Sequence, residues 1–122
     1  LLSLYLAFAI FLGGDSPAGV WRGESLCTPE SSASCHNEKV VYYIDAIAGK
    51  PDTFNVRADK IVDGKAITMG EGPWQFDSAK STLSWEMPTQ VWLVRINGRM
   101  AEGTLTTTNK AVVRHMALTK DE

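Results

Sequence analysis

The chain has 122 residues, 44% hydrophobic and 21% charged, which suffices for one domain and leaves too little for a second core. Its net charge is -2 and its pI is near 5.7, with Lys and Arg scattered singly. That balance excludes nucleic acid and anionic membrane surfaces as expected partners.

Leu1 to Leu12 holds ten apolar residues, interrupted only by Ser3 and Tyr5, and no charge precedes Asp15. As a helix this stretch would rise about 18 Å, short of a hydrocarbon core of roughly 30 Å. It matches the apolar region of a secretory signal, with cleavage expected after Gly14 or Ala18 in the turn-forming stretch that follows. Lacking Met at position 1 and a basic start, the sequence is expected to begin inside that signal. Residues 1–16 are therefore assigned to targeting. Residues 17–122 are assigned to a periplasmic or secreted domain with no stable membrane anchor after cleavage; an uncleaved anchor is the alternative.

Cys27 and Cys35 flank a polar loop, Thr28 to Ser34. In an exported chain such a pair reads as a structural disulfide. A metal site of Cys27, Cys35 and His36 is the sharper alternative, but it lacks a fourth ligand and a zinc or haem spacing. No metal or other cofactor is expected.

From Val20 onward the pattern has period two, broken by turn signals. Strands are expected over 20–26, 39–46, 53–62, 65–69, 73–77, 81–85, 90–96, 99–107 and 110–119. Asp63-Gly64 and Asn97-Gly98 predict type I′ hairpin turns, and Gly70 to Gly72 reads as a weaker break. A single helical turn within 28–38 is the most helix the pattern allows. Sequential hairpins predict an all-β, antiparallel up-and-down barrel of eight to nine short strands, with a β-sandwich as the alternative.

Gly19-Val20-Trp21 opens the first strand, and Arg114 sits in the last one, within Val112-Val113-Arg114-His115-Met116. This pair resembles the lipocalin and wider calycin pattern, a G-x-W on the first strand and an Arg on the final one. The resemblance implies that Arg114 packs across Trp21 and closes one end of the barrel, making Gly19, Trp21 and Arg114 structural. The family's middle Thr-Asp-Tyr-like triplet has no counterpart here, so no ligand class or receptor is inherited.

Tyr42, Phe54, Val56, Trp74 and Trp92 are the candidate ligand-binding set by alternation, and Trp85 and Phe76 could join them. A register slip of one would exchange Trp92 for Val91 and Leu93. Inward Gly23 and Ser25 beside Trp21 would leave room for a ligand, or let an opposing aromatic fill the interior; both outcomes stay open. Asp45 and Asp59 read as exterior carboxylates, and His36 and His115 as surface histidines. No nucleophile triad, metalloprotease or phosphate-loop motif is present, so no catalytic residue is assigned and an enzyme is not expected. The expected function is an exported lipocalin-like domain binding a small apolar or amphipathic molecule in its barrel. The alternative is an interaction protein, such as a protease inhibitor with a packed core, meeting a protein partner through Asp15 to Gly19 or the disulfide loop.

Overall fold

The computed structural model describes residues 16–122; the segment assigned to the signal lies almost wholly outside the described residues. Eight strands follow one another: β1 (Gly19–Cys27), β2 (Glu38–Ile47), β3 (Lys50–Val62), β4 (Lys65–Asp77), β5 (Thr82–Glu86), β6 (Gln90–Asn97), β7 (Met100–Thr107) and β8 (Val112–Lys120). Each pairs antiparallel with the next, and β1 pairs with β8, so the sheet is a closed up-and-down barrel. Closure removes the two-sheet alternative.

The turns explain the register. Asp63 and Gly64 both take positive φ, 52° and 77°, as a type I′ turn requires. The second hairpin departs from expectation. Asn97 pairs with Met100, so the two-residue loop is Gly98-Arg99, and only Gly98 is left-handed, at φ 63°. Glycine first with a following ordinary residue matches type II′. The break expected at Gly70 to Gly72 is also absent. Lys65–Asp77 is one strand, and the irregularity is a register shift opposite Ala58 and Asp59, which leaves Met69 unpaired. A bulge absorbs one extra residue without ending the strand.

Closure is tightest at Gly23. A Cβ there would stand 1.8 Å from the Ala117 carbonyl oxygen on β8, so only glycine fits. Gly23 therefore serves the seam rather than making room for a ligand. Where β1 ends, the loop takes over the seam: Thr28 Oγ1 donates to the Val112 carbonyl at 2.6 Å, and Ser31 Oγ donates to that of Val113. Cys27 and Cys35 are disulfide-bonded, with Cα atoms 6.2 Å apart, which excludes their thiols as metal ligands.

Closing so short a loop is worth roughly 2–3 kcal/mol in the chain-entropy account. Cys27→Ser with Cys35→Ser should therefore lower the thermal midpoint by on the order of 10 °C, at about 4–8 °C per kcal/mol. Equal midpoints for the wild type and the double variant in oxidising buffer would count against a stabilising role for this link.

Candidate functional site

The inward rows change character along the barrel. At the end where β1 begins, Leu83, Leu118, Ile96 and Ala101 are buried, and Phe54 meets Phe76 edge to face with centroids 5.5 Å apart. Toward the other end the rows on β3 and β4 carry Ala58, Gly70 and Gly72, and a Cβ on either glycine would meet nothing within 4 Å. Ala58 and Gly70 are among the residues that line a partly open cavity of about 250 Å³.

Aromatic side chains frame it. Trp74 lies 6.0 Å from Trp85 and 6.3 Å, edge-on, from Tyr42, while Trp92 is the cross-strand partner of Trp85. Val56 and Ala58 complete the wall on β3, and Met69 and Glu71 on β4, Met87 in the β5–β6 turn and Gln90 at the start of β6 stand around it, Glu71 being the one charged residue of the lining. Residue pairs between β4 and β5 stop at Gln75 and Ser84, so Trp74 and Trp85 face each other across a stretch without ladder pairing.

A polar cluster adjoins Tyr42. Arg114 donates from Nη1 to Ser25 Oγ at 3.0 Å and from Nη2 to the His36 carbonyl at 3.0 Å. Arg114 Nη1 and Lys60 Nζ both approach the Glu38 carboxylate, at 3.7 and 3.6 Å. The Tyr42 hydroxyl donates to Met116 Sδ at 3.1 Å. Burial holds the Tyr42 phenol well above the usual tyrosine range, with Arg114 opposing and Glu38 adding to the shift.

Of the five residues expected to meet a ligand, Tyr42, Val56, Trp74 and Trp92 line the cavity, so the β6 register is the one expected. Phe54 does not; it sits in the packed half against Phe76. Ala58, Met69, Gly70, Glu71, Met87 and Gln90 were missed; Gly70 and Glu71 were missed because Gly70 to Gly72 read as a break rather than as strand. Trp85 does line the cavity, and the period-two pattern on 81–85 was its signal.

Arg114 does not pack across Trp21. In the antiparallel seam Trp21 pairs with Lys120, and Arg114 pairs with Cys27, six residues or about 20 Å further along β1. Lys120 Nζ instead stands 5.8 Å from the Trp21 ring centroid, within cation–π range. The Trp21 indole donates to the Pro17 carbonyl at 2.9 Å, which draws the incoming chain over that end. Asp59 also differs from expectation: it points outward yet is only 4% exposed. It accepts from Thr68 Oγ1 at 2.7 Å and lies 3.4 Å from Arg57 Nε, whose guanidinium covers the Tyr43 ring. It is therefore part of a packed outer patch, not an isolated solvated charge.

A second concavity of about 330 Å³ runs over the outer wall between Leu26, Leu93, Arg95 and His115, without aromatic lining. Among the described residues no three His, Cys, Asp or Glu side chains converge on one point. No protein-family model matches the chain, and no curated protein does.

In double-mutant cycles Trp21→Ala should couple with Lys120→Ala by about 0.5 kcal/mol or more and be additive with Arg114→Ala, since only contacting pairs couple. Coupling to Arg114 instead would contradict this seam. Tyr42 makes a pH prediction. Its folded pKa is raised, so the stability it contributes is intact below about pH 10, where unfolded tyrosine ionises, and is lost as pH rises further. Tyr42→Phe should therefore flatten the alkaline fall in unfolding free energy by about 1.4 kcal/mol per pH unit. Identical slopes for the two proteins in denaturant melts would show that this phenol is not held protonated.

Proposed function

We propose that the chain is an exported, lipocalin-like carrier that binds a small apolar or amphipathic molecule in its barrel and performs no catalysis. The carrying observation is the partly open 250 Å³ cavity framed by Trp74, Trp85, Trp92 and Tyr42 at one end of the barrel. A concavity with a largely apolar, aromatic lining is what small-molecule sites share, and this one falls just below their usual range of roughly 300–1,000 Å³. Protein interiors are normally filled, so the unfilled space beside Gly70 favours an occupant. The G-x-W opening with a cation over its indole supports kinship with the calycin barrels, and the disulfide supports an oxidising destination.

Burying an eight-carbon chain at about 0.8 kcal/mol per methylene is worth about 6 kcal/mol before association costs, so the Kd is no tighter than roughly 20 μM. Octanol should therefore change tryptophan fluorescence saturably. Gly70→Leu should fill the void, abolish that response and leave the thermal midpoint unchanged or higher. Trp92→Ala should weaken binding more than Leu93→Ala. Unaltered octanol binding by Gly70→Leu, or no saturable response in the wild type, would rule out this cavity as the site.

A further inference from the structure

Charge is distributed unevenly around the tryptophan cavity. Its lining includes one carboxylate, that of Glu71, and no Lys, Arg or His. The ladder between β4 and β5 stops at Gln75 and Ser84, so β4 has a free edge on the β5 side from Trp74 back toward Lys65. Glu71 stands on that edge, exposed, at the rim of the cavity. The cations on neighbouring strands are engaged elsewhere. Arg57 is the cross-strand partner of Glu71, but its guanidinium covers the Tyr43 ring and its Nε lies 3.4 Å from Asp59. Lys60 and Arg114 both approach Glu38. Among the described residues Glu71 forms no ion pair, and its one hydrogen bond comes from the neutral Asn55 amide, at 2.8 Å to Oε2.

We infer that the ligand is an amphipathic organic cation, of the protonated alkylamine class, whose apolar body occupies the tryptophan cavity and whose charged head meets the Glu71 carboxylate at the rim. This rests on the carrier reading and narrows it to one class of molecule. Two separate features of the lining act in the same direction. A carboxylate with lone pairs to spare accepts from an ammonium group, and charge-assisted bonds are the stronger kind. Aromatic rings attract cations through their negative π faces, and Tyr42, Trp74, Trp85 and Trp92 all belong to the same wall. An anion would meet the reverse: repulsion from Glu71, and no basic side chain in the lining to bind it. The Tyr42 phenol is held neutral and adds charge of neither sign.

The test compares three probes with one tail and heads of similar size, namely octylammonium, octanol and octanoate. Each is titrated calorimetrically into the oxidised protein at neutral pH and low ionic strength. Octylammonium should bind about tenfold more tightly than octanol, the step that one exposed ion pair and one cation–π contact supply together, and octanoate should bind most weakly. Glu71→Gln should cut the preference for octylammonium over octanol to about threefold, the share left to the rings. Glu24→Gln, which removes an exposed carboxylate on the outside of β1, should leave that preference intact. Salt at about 0.5 M should narrow the preference in the wild type, because an exposed pair is screened. Equal affinity for octylammonium and octanol would overturn the cation assignment and leave the carrier reading standing, as would tightest binding of octanoate. A preference that survives Glu71→Gln in full, that ignores salt, or that falls as far in Glu24→Gln would overturn the role of Glu71. Failure of all three probes would defeat the carrier reading itself.

Discussion

The structure depends on the approach of β1 to β8 at Gly23. An up-and-down sheet of eight strands has two edges until its first and last strands pair, and exposed edges invite aggregation. Here the pairing is so close that a side chain at Gly23 would overlap the Ala117 carbonyl. Everything inside the barrel follows from that closure, because the strand number sets an interior just wide enough for side chains or one small ligand. The seam is also extended beyond the strands. Thr28 and Ser31 hydroxyls satisfy the Val112 and Val113 carbonyls that β1 no longer reaches, and the disulfide holds that loop in register. The cystine thus works on barrel closure, not merely on a surface loop.

With the circumference fixed, the distribution of inward volume decides where the barrel is solid and where it is open. Gly103 is inward too, but its missing Cβ is used: Met116 Cε would lie 2.6 Å from it. Gly70 and Gly72 have no such neighbour. The difference lies in what stands opposite. Beside Gly103 the facing rows supply a flexible methionine that fills space. Beside Gly70 the walls are largely indoles and a phenol, which meet one another edge-on or tilted, and Met69 and Met87 of the same lining leave the space unfilled.

The barrel was legible in the sequence because its elements are local. Alternation of apolar and polar residues, and Asp-Gly or Asn-Gly between runs, report hairpins without knowledge of distant partners. What was not legible depends on pairing across the chain. Gly70 to Gly72 has the composition of a turn, and only its register against Val56 and Ala58 makes it strand. Lys120 rather than Arg114 meets Trp21 because antiparallel closure brings the end of β8 to the start of β1, a relation carried by topology and not by a motif. Asp59 looks like any exterior carboxylate until Arg57, Thr68 and Tyr43 close over it. Phe54 has the right face and the wrong height, which alternation cannot report, since period two fixes the side of the sheet and not the depth in the barrel.

The inward row of β8 connects these features. It runs Arg114, Met116, Leu118, Lys120, with a cation at each end and apolar residues between. Met116 and Leu118 are both 2% exposed, so this row crosses the interior with its charges reaching toward the two ends, as long basic side chains do when their stems are buried. The two ends use the charge differently. At the packed end Lys120 lies over an indole, and Trp21 in turn holds the incoming chain through Pro17. At the cavity end Arg114 ties the disulfide loop to β1 through His36 and Ser25 and brings Glu38 under two cations. A fixed Arg114 keeps one oxygen of Glu38 engaged while Lys60 approaches the other. The residue that ties the disulfide loop to the seam is therefore also the one that orders the carboxylate at the start of β2.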